Sequence, residues 1–314
     1  MAITTPEAAT TASPPPTASQ QRQREARRGR RRNSQYPMWF YLPAAVLFLV
    51  LFIVPTIASF YFSLTRWSLF DIEFIGLDNF AQFFSEPMLV QGFTNTFLFG
   101  FITSALKVVL GLLLAVLLTG QIIGRTFLRS VVFFPVLVST IGVGITFKVL
   151  MDPFDGLINE ALASIGIEGP GWLTDPAWAL LSVALVDVWK GVGLATLIFI
   201  AGIVAIPQEY YEAAKVDGAS GTKLFFSITM PLVKPAMVTV IILSLIGGLR
   251  SFDLIWAMTR GGPGFTSDVI ASVIFKQYQA GFYGLSSAGN VVLFLVVTAI
   301  IVPIFWLLNR KQVD

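Results

Sequence analysis

Glu212-Ala213-Ala214-Lys215-Val216-Asp217-Gly218, followed by Ile228-Thr229-Met230-Pro231, is a polar stretch set between two strongly apolar ones. Pro207 can open a helix there, because its missing N–H is one of the unpaired first-turn donors, and Gln208, Glu209 and Glu212 place polar or acidic groups near the positive helix end. The helix is expected to reach about Asp217. Gly218 then supplies a left-handed residue, and Ser220 or Thr222 caps a second helix carrying Leu224, Phe225 and Ile228 on its apolar side. Met230-Pro231 is expected to end that helix. Tyr210, Ala213, Ala214 and Asp217 share one face at three- and four-residue steps, with Glu212 and Lys215 beside it. So short a helix is marginal alone and needs support or a partner. An ordinary membrane-surface hairpin is the plainer reading; a docking knob for another protein is the sharper one.

Working outward, the 314 residues are 55% hydrophobic and 12% charged, whereas a soluble domain is about 25% charged. Cysteine and histidine are both absent, which removes thiol nucleophiles, disulfides, imidazole bases and the usual zinc, haem and iron–sulfur ligands. Reading for apolar runs of about 20 residues, the length that crosses a bilayer core, gives six: 38–64, 97–123, 131–150, 178–206, 236–258 and 291–308. The fold class expected is all-α, a polytopic membrane protein with six transmembrane helices. Its parts are a tail over 1–36 and a membrane domain over 37–314, with a core over about 93–309 and the polar loop over 207–235.

Cations set the orientation. They crowd the tail (Arg22, Arg24, Arg27, Arg28, Arg30, Arg31 and Arg32), the second connection (Arg125, Arg129), the fourth (Lys215, Lys223, Lys234) and the end (Arg310, Lys311). The opposite connections carry Arg66, Arg260 and Lys276 against many acids. Both termini and the Glu212 loop are therefore expected in the cytoplasm. The tail is too poor in apolar residues to order itself, and its arginines read as a topology signal rather than a nucleic-acid site. The first apolar run starts too late and is too long for a cleaved signal peptide. No repeat of solenoid length is visible, nor are inverted halves.

Charges inside spans are costly, so Lys107, Lys148, Asp187, Lys190, Arg250 and Asp253 each need a reason. Asp187 and Lys190 stand one helical turn apart, as do Arg250 and Asp253, and the plainer expectation is that each couple pairs; the sharper one is that Asp187, Lys190 and Arg250 face a central polar cavity as hydrogen-bond partners of a hydroxyl-rich solute, while Lys148 is expected to snorkel. Gly247-Gly248 fits either a polar path or close helix packing. Trp178, Trp256 and Trp306 fit an interfacial belt.

The pattern EAA-x3-G-x9-I-x-[LM]-P resembles the coupling loop of the integral-membrane subunit of bacterial ATP-binding-cassette (ABC) importers, with Met230 standing where leucine is usual. Asp187-Val188-Trp189-Lys190-Gly191, Phe252-Asp253-Leu254-Ile255 and Thr259-Arg260-Gly261-Gly262-Pro263, with Pro55 and Phe80 more weakly, resemble its sugar and glycerol-phosphate uptake branch, similar to the MalF-type permeases. The resemblance implies the type I ABC importer permease fold in a bacterial inner membrane. It implies partners: a second permease subunit, two cytosolic ATPase subunits or domains that bind ATP and magnesium, and an extracytoplasmic binding protein delivering a sugar-like solute. For this chain it implies no cofactor and no catalytic residue.

By that resemblance Glu212 faces basic groups of the ATPase, Ala213 and Ala214 pack on it, and Gly218 forms the turn, with Asp217, Ile228 and Pro231 completing the coupling set. The substrate-path positions it implies are Asp187, Gly191 and Leu194 on one span and Ser244, Gly247, Gly248 and Ser251 on the other, with Lys190, Arg250 and Asp253 as further polar candidates. The chain has no G-x-x-x-x-G-K-[ST] phosphate cradle, so the energy must come from another polypeptide. Two rivals stand beside this reading. An ion-coupled secondary transporter would use Asp187, Lys190, Arg250 and Asp253 as its relay. A membrane-embedded enzyme would use Asp152, Asp155 or Asp175.

Overall fold

The computed structural model describes residues 38–68 and 70–309, and by its internal contacts the chain divides into two units, 1–56 and 57–314. The basic tail expected to be unstructured lies outside the described residues. Among the described residues four helices are long and apolar enough to cross a membrane, and two further pairs, each bent at a short break, bring the number to six when each pair is counted as one span. The first is α1, Trp39–Phe62, whose apolar side chains such as Leu51 and Phe52 are exposed.

After α1 the chain makes a small antiparallel hairpin, β1 (Thr65–Trp67) and β2 (Ile72–Phe74), and then a short helix α2 (Asp78–Ser85). The next helix, α3 (Pro87–Thr119), begins ten residues before the expected 97, because Pro87 at its first turn pre-sets the helix and Asn95, Thr96 and Thr103 are buried against neighbours. At about 1.5 Å per residue its length is roughly 50 Å, more than a bilayer core needs.

The third expected span is not straight. It is α4 (Arg125–Leu137) and α5 (Thr140–Leu150), bent by 98°. Pro135 takes one N–H out of the helical ladder, and Val138 and Ser139 adopt extended backbone. A short helix α6 (Leu157–Ser164) precedes the fourth span, α7 (Ala179–Val204). The polar hairpin holds α8 (Gln208–Val216) and α9 (Gly221–Leu232), and α10 (Lys234–Leu249) follows at 67° to α9. Met230-Pro231 does not end α9, correcting the expectation. The backbone widens into a π-turn over Phe225–Thr229 ahead of Pro231 and breaks only at Val233, where Pro235 offers no N–H to continue.

The fifth span is likewise broken, since α10 stops at Leu249 and α11 (Asp253–Met258) starts after a non-helical Arg250–Phe252 turn. Then come α12 (Ile270–Gln279) and α13 (Tyr283–Asn309).

Three buried clusters fix how these helices run. Phe99 of α3 packs with Leu180 and Val183 of α7, whereas Leu112, Ala115 and Leu118 pack with Ala195, Phe199 and Ile200, so the two helices lie parallel. Val233 and Val240 belong to the second of these clusters and Leu249 lies on Gly100, so α10 runs antiparallel to α3. Phe83, Leu89, Ile270, Leu285 and Val292 form the third, which places the start of α13 beside the start of α3. One end of the second unit therefore carries the hairpin of α8 and α9, the connection before Arg125 and the end of α13. The β-hairpin, α2 and the loop before Ile270 lie at the opposite end.

Candidate functional site

A groove of about 200 Å³ opens between α3, α7 and α10, lined by Lys107, Gly191, Leu194, Ala195, Ile198, Val240, Leu243, Ser244 and Gly247. Lys107 is 7% exposed and donates to Asp187 Oδ2 at 2.5 Å. This corrects the expected Asp187–Lys190 pair. Both residues sit on α7, but the α3 register brings Lys107 to the carboxylate first, and Gly191 leaves a slot for its stem: a Cβ there would stand 2.6 Å from Lys107 Cε. Lys190 is half-buried, with no ion-pair partner among the described residues.

The expected Arg250–Asp253 pair does not form either. The helix break between them removes the one-turn geometry; both are exposed, and Asp253 instead sits in the first turn of α11, where a carboxylate suits the helix dipole. Gly247 and Gly248 separate cleanly. A Cβ at 247 would meet nothing within 4 Å, whereas one at 248 would stand 2.8 Å from Gly100 Cα and from Thr103 Oγ1. Gly247 thus lines the groove and Gly248 is a packing contact. Ser244 and Leu194 form groove walls; Ser251 lies in the helix break, its N–H on Gly248 O. Trp256 stacks on Phe252 and meets Phe275 edge-on, so it belongs to an aromatic cluster rather than a simple belt.

The hairpin follows its local chemistry closely. Pro207 stands just ahead of α8, and Asp217 closes it. Gly218 has φ +75°, with its N–H on Lys215 O and the Ala219 N–H on Ala214 O, the paired closure of a Schellman motif. Ser220 caps α9 by accepting the Lys223 N–H. Tyr211 and Thr229 share a hydroxyl hydrogen bond at 3.0 Å that ties α8 to α9. Glu212 accepts from Gln208; Ala213 is exposed, Ala214 and Ile228 are half-buried, and Pro231 is exposed. Val216, 88% exposed, and Phe226 present apolar surface at this polar end. Sequence reasoning passed over both, although a valine beside the EAA triplet on so polar a helix was a usable signal.

At the opposite end the loop 259–269 is tied down by residues the sequence reading did not single out. Asp268 is fully buried, accepts from Lys276 at 2.6 Å and from Ser272, and occupies the space beside Gly261 that a side chain would fill. Asn95 of α3 donates to Thr266 O and Asp268 O. A lone asparagine in an apolar run was the available signal. Two of the three acids of the enzyme rival, Asp152 and Asp175, are turn caps. Asp152 accepts the N–H groups of Phe154 and Asp155, which hold its carboxyl below the usual carboxylate range, the reverse of what a general acid needs. Asp175 likewise accepts the Ala177 N–H.

Residues 107–312 match the family described as "Binding-protein-dependent transport system inner membrane component". The chain is 37% identical over 258 residues, 82% of its length and 88% of the relative's, to the trehalose/maltose transport system permease protein MalF of Thermococcus litoralis. Its fold is similar to a chain of a bacterial ABC transporter that imports the acidic polysaccharide alginate, with TM-score 0.77, 22% identity, and 92% and 99% of the two chains covered. The alginate transporter in complex with an alginate pentasaccharide-bound periplasmic protein gives TM-score 0.75 at 22% identity, covering 87% and 92%.

Proposed function

The chain belongs to the family of binding-protein-dependent transport system inner membrane components, and from that premise we propose that it carries a neutral carbohydrate or polyol along the groove between α3, α7 and α10. It is the membrane-spanning permease subunit of an ABC importer and not an enzyme. The observation that supports the solute class is the Lys107–Asp187 pair, whose lysine lines the groove: the carboxylate behind it neutralises the ammonium, so the wall offers a hydrogen-bond donor, with Ser244 as a further donor and acceptor, and no net charge to attract an anion. Leu194, Ile198 and Leu243 add apolar surface for a sugar's C–H faces.

In this reading a second permease subunit completes the path. The hairpin of α8 and α9, with both chain ends, lies in the cytosol of a bacterial cell. There Glu212, Ala213, Ala214, Asp217 and Gly218, backed by Ile228 and Pro231, seat on an ATPase that binds ATP and magnesium. Closure of the paired ATPases moves α8, and the rigid α3–α7–α10 packing passes that motion to the groove. A binding protein releases the solute at the opposite end.

The test is reconstitution of the chain with the second permease and the ATPase in proteoliposomes, following uptake of a labelled neutral oligosaccharide supplied on its binding protein. Ser244→Leu is expected to lower uptake while leaving the complex assembled. Uptake by the purified chain alone under an ion gradient would overturn the proposal in favour of a secondary transporter.

A further inference from the structure

A cavity of about 840 Å³ lies in the second unit, apart from the groove and sharing none of its lining residues. It lies at the end opposite α8, between the β-hairpin, α2 and the turn before Tyr283, and its walls are held rigidly. Asn79 donates to Ser63 O and Thr65 O at 2.9 and 2.8 Å, and Gly284 comes so close to the Thr65 carbonyl that any side chain at 284 would strike it. Trp67 is stacked on Phe62 and tilted against Tyr283. A concavity built this firmly is a shape that can be recognised.

Its charge is one-sided. Asp71, Glu73 and Asp78 line it against the single cation Arg66, and Arg66 is already engaged with Glu73 at 3.4 Å. Two carboxylates, Asp71 and Asp78, are therefore left without an ion-pair partner among the described residues. Phe70, 93% exposed, and Phe282, 59% exposed, also line it. Exposed aromatic rings beside unneutralised acids suit the anchors of a protein interface, where a lysine or arginine can lay its aliphatic stem on a ring and its charge on the carboxylates. A neutral saccharide would hydrogen-bond to these carboxylates but leave both charges uncompensated, whereas a cationic side chain neutralises them, and the apolar core of a bilayer would be repelled by them.

We propose that this acidic cradle is the docking surface for a basic protrusion on the solute-carrying protein. The inference rests on the importer reading and deepens it, by assigning the surface of this chain that meets that partner. Opposite charge across the contact would steer the encounter, so association should fall steeply with salt.

The experiment is titration of the complete importer in nanodiscs with its purified solute-carrying protein, with ATPase activity followed in parallel. Asp71→Lys is expected to weaken binding at least tenfold, chiefly through slower association, and Phe282→Ala several-fold. Asp71→Asn should fall between wild type and Asp71→Lys, and none should change the ATPase rate measured without the partner. The exposed position of Asp71 makes misfolding of these variants easy to exclude by an unchanged melting temperature. Unaltered binding in both Asp71→Lys and Phe282→Ala, with a wild-type importer still stimulated by its partner, would overturn the cradle assignment alone. A wild-type importer that no solute-carrying protein binds or stimulates would instead overturn the importer reading beneath it. Direct binding of a free oligosaccharide to the importer that is lost in Phe282→Ala, with partner binding intact, would reassign the cradle as a saccharide site.

Discussion

Lys107 and Gly191 fit against each other across α3 and α7, the missing side chain of one making room for the bent stem of the other. A Cβ at 191 would lie 2.6 Å from Lys107 Cε and 3.0 Å from Nζ. Because the lysine is the end of a flexible chain, a small substitution displaces it rather than the backbone. Gly191→Val should then pull the ammonium from Asp187 and fill part of the groove. The expected outcome is at least a tenfold loss of uptake in proteoliposomes from a chain that still inserts and still holds its ATPase; wild-type uptake would show that the placement of Lys107 is immaterial.

Removing one member of the pair is a different perturbation from removing both. Lys107 is 7% exposed, so Asp187→Leu would strand a buried cation, at a cost of about 3–5 kcal/mol, whereas replacing both partners by apolar groups is often neutral. Thermal unfolding in detergent should show a clear drop for Asp187→Leu and for Lys107→Met, with recovery in the double variant. Uptake should stay lost in all three. A double variant as unstable as the singles would mean that the pair is not what the singles disturb.

Gly247 and Gly248 are neighbours with opposite tolerances. An alanine at 248 would push a Cβ to 2.8 Å from Gly100 Cα, a backbone atom that cannot swing aside, and overpacking of that kind costs about 1–3 kcal/mol. An alanine at 247 meets open space and gains helix propensity, about 0.8–1 kcal/mol relative to glycine. Gly248→Ala should lower the melting temperature and Gly247→Ala should not. Gly247→Phe should keep the fold and block uptake, since its ring would project into the groove. Equal destabilisation at both positions would refute the division between packing and path.

What could be read from the sequence was what is local. Caps, the left-handed glycine and the apolar faces of the hairpin depend on residues within a turn or two, and Gly218, Ser220 and Asp217 stand where capping chemistry puts them. Hydropathy found the spans but not their bends, because a window of apolar residues looks the same on either side of Val138. Partners set by tertiary register were out of reach. Lys190 was three residues from Asp187 and Lys107 was 80 away, yet the parallel seating of α3 on α7 brought the distant one to the carboxylate. Asn95 and Asp268, 173 residues apart, meet for the same reason.

Gly218 separates the conformation of the α8–α9 hairpin, proposed to seat on the ATPase, from its contacts. Its φ of +75° with nothing within 4 Å means that a side chain there would clash with no neighbour, so the penalty is purely that of a left-handed backbone, about 1–2 kcal/mol for most residues and less for asparagine. Gly218→Asn should keep the turn and the coupling. Gly218→Pro combined with Glu212→Lys should break the turn and reverse the charge of the face, giving a chain that inserts but neither holds nor drives the ATPase. Val216→Asp tests the contact alone, because at 88% exposure the residue contributes little to this chain's own packing. It should leave the melting temperature unchanged and reduce ATPase co-purification several-fold. If the double variant and Val216→Asp both retained the ATPase and normal uptake, the motor would have to grip the chain somewhere other than α8.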